Sequence, residues 1–186
     1  MSRIAGFLSG PEFADAFLQD PEKWFEAART LWISAAELEK LHLAGDAETR
    51  TLRDDYSEVE KNSPEWASSY SDAMDKFNCA RVASMLRAMA VEALLKGTWY
   101  AKETREKGHV TSVAKSKHSH NLWKIAKDIG LPFDEDHNRC LNRMKEMIEM
   151  GRYPVSMRGG TSWESDPELD ARVYEAIRVY HAGLAQ

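Results

Sequence analysis

With 186 residues, 43% hydrophobic and 30% charged, the chain has enough material for one domain with a proper core and too little for two of ordinary size. Mean hydropathy of −0.55 and the lack of a long uncharged apolar run argue against a membrane span, and two cysteines argue against a disulfide framework. The net charge of −5 is unevenly spread: residues 12–75 hold sixteen Asp/Glu against six Lys/Arg, whereas residues 102–127 hold seven Lys/Arg against two Glu before His109, His118 and His120 are counted. Because salt screens each charge beyond roughly 8–10 Å, an acidic whole does not exclude a phosphate-bearing partner for the basic block.

The N-terminal "MSRIAGFLSGPEF" is too short and interrupted for a secretory signal, so a cytoplasmic protein is expected. Four segments read as helix starts: "GPEF" at Gly10, "DPEKW" at Asp20, "SPEW" at Ser63 and "DPEL" at Asp166. In the last three, Asp or Ser accepts from otherwise unbonded backbone N–H groups, Pro suits the first helical position, and Glu complements the positive end of the dipole. Behind Asp20, the residues Trp24, Ala28, Leu31, Ala35 and Leu38 share one face, predicting a helix to about Leu43, before Gly45.

From Pro64 to about Lys102 the absence of proline predicts one long core helix, with a stripe of Val82, Leu86, Met89 and Ala93 widened by Met85, Ala90 and Leu94. Gly97 within it marks a kink, a close approach of another helix, or the end of regular structure. Residues 103–117 read as a mobile connection with a helical extension at its start. Leu122, Ile125, Ala126 and Ile129 form a short helix ending at Gly130; Leu141, Met144 and Ile148 face inward on the next, which stops at Gly151; Leu169, Val173, Ile177, Tyr180 and Leu184 line the last. No strand, repeat or low-complexity tract is found. The expected fold is all-α: an antiparallel up-and-down bundle of four to five helices over residues 63–186, with accessory N-terminal helices in residues 1–62 packed on it as one unit.

The order of "MLRAMAVEALLKGTWY", a polar loop, "KHSHNLWKIAKDIGL" and "LNRMKEMIEMGRYP" resembles the HEPN family, the higher eukaryotes and prokaryotes nucleotide-binding domain, over roughly residues 75–180. The resemblance implies a helical bundle, homodimerisation, and association with nucleotide or RNA chemistry, often in toxin–antitoxin or defence systems. It also implies a nucleotidyltransferase partner in some members. Nucleases of the family carry Arg and His separated by four to six residues; here Arg105 and His109 have three between them, Arg178 and His181 two, and Arg172 and His181 eight. Arg152-Tyr153-Pro154 instead resembles the RYP version of the domain, for which nuclease activity is a weaker inference.

Two segments are candidate ligand sites. Lys115, Lys117, His118 and His120 precede the helix that Ser119 or Asn121 caps, and with Asn121 they offer donors beside a helix N-terminus, the arrangement that receives phosphate. They also fit a solvated loop. Arg152 and Tyr153 offer a two-point phosphate grip and a stacking face, with Arg158 adding a donor in a Gly-rich loop; equally, Arg152 and Tyr153 fit roles in helix termination and packing. Glu92 faces a site, pairs with a basic residue of another helix, or is an ordinary boundary residue. His118 and His120 share a side only in extended chain, and no further ligands are evident, so neither a metal nor a cofactor is expected. Cys79 and Cys140 read as buried free thiols, and Trp24, Trp32, Trp99 and Trp123 as core or interface residues. The leading expectation is a dimer that binds nucleotide or RNA phosphate without efficient catalysis. The alternatives are a metal-independent ribonuclease using His118 or His120 with Arg152, and a non-catalytic dimerisation or adaptor module.

Overall fold

Helix-start chemistry governs the observed architecture. The computed structural model describes residues 20–58, 60–107, 120–152 and 166–184, with residues 150–152 described through their backbone alone. Asp20 Oδ1 accepts from Glu22 N–H at 3.1 Å, Ser63 Oγ from Trp66 N–H at 3.1 Å, and Asp166 Oδ1 from Leu169 N–H at 2.9 Å. Each opens a helix with Pro at its first position: α1 (Pro21–Asp54), α2 (Pro64–Phe77) and, last in the chain, α6 (Pro167–Leu184). Between them lie a 3-10 turn (Glu60–Asn62), α3 (Cys79–Lys107), α4 (Leu122–Ile129) and α5 (Glu135–Arg152). The start predicted at Gly10 lies outside the described residues. The protein is an all-α helical bundle with no strand among the described residues.

α1 does not stop near Leu43 but continues through Gly45 to Asp54. The glycine is there for α2: a Cβ at Gly45 would lie 2.4 Å from Phe77 N and 2.7 Å from Ala73 O, so only hydrogen lets the two backbones come this close. The long helix expected from Pro64 is in fact two, broken at Asn78, whose N–H turns back to the carbonyls of Met74 and Lys76. Gly97 is not a terminus, since α3 runs on to Lys107; a Cβ there would meet Trp24 Cβ at 2.8 Å and the Phe25 ring at 3.1 Å. Of the three readings, close approach of another helix is the one observed. Gly130 closes α4 in the left-handed region at φ 81°, its N–H bonded to the Ala126 and Lys127 carbonyls.

α1 runs antiparallel to α2, with Trp66 Nε1–H donating to Leu52 O at 2.9 Å and Lys76 bonding Glu48 at 2.7 Å. It also runs antiparallel to α3, with Glu39 on Arg87 and Trp24 on Tyr100, and to α6, with Phe25 on His181 and Trp32 on Tyr174. α4 lies along α3, from Glu92 at its start to Lys102 at its end, where Lys102 Nζ and Tyr180 Oη both donate to Ile129 O. The core joins Ala28 of α1, Val91, Leu94 and Leu95 of α3, Leu122 and Ile125 of α4, Leu141, Met144 and Ile148 of α5, and Val173 and Ile177 of α6. Trp24, Trp32, Trp99 and Trp123 pack half-buried against it. One member of the predicted α3 stripe departs: Val82 is 45% exposed. The buried face there turns instead through Ala83, Ala90 and the charged Arg87.

Cys140 is buried, whereas Cys79 is only half-buried. Burial, with the Asp170 carboxylate adjoining, pushes the Cys140 thiol up to about 12. A thiol reagent at pH 8 should therefore modify one cysteine per native chain rapidly and two in denaturant. Equally fast labelling of both in the native protein would contradict this placement.

Candidate functional site

The basic connector re-enters the described structure at His120, and there the helices supply a polar cluster. Glu92 is on the core-facing side of α3 and only 7% exposed, which is costly for a carboxylate without partners. Two are at hand. Lys96, one turn along α3, donates to Glu92 Oε1 at 2.5 Å, and His120 Nδ1 lies 3.0 Å from the same oxygen. A carboxylate accepts, so this contact places the ring proton on Nδ1. Lys96 also sits 5.9 Å from the Trp24 ring centroid, which ties the cluster to α1. Directly after His120, Asn121 Oδ1 accepts from Lys124 N–H at 3.1 Å and caps α4. Among the described residues, Glu92 does not pair with a basic residue of another helix: its partners are Lys96 of its own helix and His120 in the turn before α4.

Of the residues singled out in the sequence, His120 and Asn121 thus stand together at the mouth of the connector. Arg152 is the last residue of α5. Lys115, Lys117, His118, Tyr153, Arg158 and Trp163 lie outside the described residues. Among the described residues no group of three or more His, Cys, Asp or Glu is placed to hold a metal ion, and no helix is long and apolar enough to cross a membrane.

A second cationic feature was not anticipated. Arg139 and Arg143 of α5 and Arg172 of α6 line a cleft of about 410 Å³ together with Asp136, Cys140 and Asp166. Arg143 pairs with Asp170, which is 1% exposed, and Cys140 Sγ lies 3.4 Å from the same carboxylate oxygen. Burial raises the Asp170 pKa, outweighing the opposing effect of the Arg143 guanidinium. Arg139 pairs with Asp136 on the surface. Two carboxylates and three guanidinium groups thus line the cleft, with Asp170 buried behind Arg143. The i, i+4 spacing of Arg139 and Arg143 was visible in the sequence; their meeting with Asp170, 27 residues away from Arg143, was not.

Comparison with protein-family models, with curated proteins and with solved structures returns no match to this chain.

Proposed function

We propose that the protein binds the phosphate groups of a nucleotide or RNA without efficient catalysis, at the entrance to α4. The observation that carries this reading is the Glu92–His120 contact. It anchors the last residue of the connector to the buried face of α3, so that the positive charge of residues 102–127 leads into a held imidazole and a capped helix start. The order of motifs resembling a HEPN domain of the RYP version supports the same ligand class, and with it come a dimer and a toxin–antitoxin or defence role as parts of the proposal. Titration of labelled ATP and short RNA is expected to show saturable binding that weakens with Lys117→Ala and with Arg152→Ala. Absence of saturable binding, or indifference to both substitutions, overturns it.

One observation favours a second reading, a metal-independent ribonuclease. A carboxylate on Nδ1 orients an imidazole for proton transfer through Nε2, the role a general base or acid requires at a ribose 2′-oxygen or leaving oxygen. Incubation with total RNA in EDTA distinguishes the two. Binding without cleavage is expected; cleavage that disappears in His120→Ala would establish the enzyme instead.

A further inference from the structure

A groove of about 720 Å³ between α1 and α6 lies apart from the α4 entrance and is independent of the function proposed there. Both helices present the same pattern to it: Phe25, Arg29 and Trp32 on α1, and Tyr174, Arg178 and His181 on α6, in each case ring, arginine, ring at i, i+4 and i+7. Because the helices are antiparallel, the patterns meet end to end. Phe25 lies against His181 with ring centroids 3.8 Å apart, and Trp32 stacks on Tyr174 at 4.2 Å. Seven residues of helix separate the two ring pairs by about 10 Å along the axis. The arginines fall between them, and Leu94 of α3 also lines the space.

The polar groups are unequal. Arg178 is engaged with Glu175 through two bonds of 2.7 Å. Arg29 has no carboxylate partner among the described residues. Glu22 stands at the far end of the α1 pattern, about two turns from Arg29. His181 contributes a ring more than a charge: its Nδ1 is sealed from water without a hydrogen-bond partner among the described residues, and burial lowers its pKa.

A groove of this volume, lined by rings and by a cation with no carboxylate partner among the described residues, has the makeup of a small-molecule site. We propose that the groove binds a planar aromatic carboxylate, with its ring system between the two ring pairs and its carboxylate on Arg29. Aromatic rings associate favourably with one another, and the guanidinium offers the carboxylate two parallel N–H donors. The two ring contacts, one stacked and one tilted, hold the rings in place before the ligand arrives, so little ordering opposes binding.

The test is calorimetric titration of the full chain with 1-naphthoate, 1-naphthylmethylamine and cyclohexanecarboxylate. One site per chain is expected for 1-naphthoate, with much weaker binding of the amine and of the non-aromatic acid. Arg29→Glu, a change on an exposed side chain, should weaken 1-naphthoate about tenfold or more. Ala171→Trp, which fills the groove from an exposed position, should abolish binding while the circular dichroism spectrum stays helical. The proposal is overturned if 1-naphthoate does not saturate a site at millimolar concentration, if the amine binds at least as tightly, or if Arg29→Glu leaves its affinity unchanged. ATP or RNA binding at the α4 entrance is expected to be unaffected by Ala171→Trp, which keeps the two sites separable.

Discussion

Replacing Asp170 with alanine is expected to destabilise the protein by about 3 kcal/mol, at the lower end of the range for breaking a buried ion pair. Asp170 is 1% exposed and carries the Arg143 guanidinium and the Cys140 thiol on one carboxylate oxygen. Removing it leaves Arg143 facing a cavity, although the 25% exposure of the arginine side chain lets water recover part of the loss. For a chain of this size the change corresponds to a melting temperature lower by roughly 6–12 °C. Asp170→Asn should be milder, because it keeps the volume and the buried carboxylate charge is already disfavoured. The pH dependence follows from the raised pKa. The native state holds the proton more tightly than the unfolded chain, so the stability that comes from protonating Asp170 is fully present below the unfolded value near 3.8 and is lost as pH rises through the higher native value. Wild type should therefore lose stability relative to Asp170→Asn across that window. Parallel pH profiles of the two proteins, or a melting temperature unchanged in Asp170→Ala, would contradict this account of the buried pair.

Gly45→Ala is expected to be comparably damaging, for a different reason. Intrinsic helix propensity alone favours alanine by about 1 kcal/mol. Opposing it, the new Cβ would stand 2.4 Å from Phe77 N and 2.7 Å from Ala73 O, both backbone atoms of α2 that cannot swing aside as a side-chain end can. The helices must separate or bend, and overpacking of this kind costs about 1–3 kcal/mol or more. With contacts this short, the steric term wins, and a net loss of about 2 kcal/mol, from the upper end of that range less the propensity gain, is expected in urea unfolding. Gly183 supplies the comparison. Among the described residues, nothing outside the neighbouring backbone of its own helix lies within 4 Å of a Cβ built there, so Gly183→Ala should be neutral or stabilising by up to about 1 kcal/mol. Equal effects at the two positions would refute close approach as the reason for Gly45.

Asp170 and Gly45 both owe their roles to packing between helices, which neighbours in the chain do not encode. The starts at Asp20, Ser63 and Asp166 were legible because capping is a local transaction among a side chain, the next few N–H groups and a proline. The core of α4 and the inward residues of α5 and α6 were legible for a similar reason, since periodicity is carried by neighbours in the chain. Gly45 misled because a glycine that ends a helix and one that admits a neighbouring helix look alike until α2 is in place. Asn78 misled because its break needs no proline, only a turn in which its N–H bonds carbonyls behind it. Charge in the interior was least legible. Arg87 with Glu39 and Arg143 with Asp170 join residues 48 and 27 positions apart, and nothing in a linear pattern marks an arginine as buried.

The candidate site divides along the same line. The cationic run before α4 and the cap at Asn121 could be read from composition and helix grammar. That Glu92 would be the group receiving His120 depended on how α4 lies along α3. Lys96, which shares the carboxylate, sits at the i, i+4 position from Glu92 and was within reach of charge-pattern reasoning.

If phosphate binds beside the imidazole held by Glu92, as proposed, nitrogen-15 NMR of the histidine rings will register it. With the His120 signals assigned by their loss in His120→Gln, a titration with short RNA at low salt should shift the His120 Nε2 resonance saturably while Nδ1 keeps the signature of a carboxylate-bound N–H. Ring signals of His120 that stay in place as RNA or ATP saturates the protein would contradict the account.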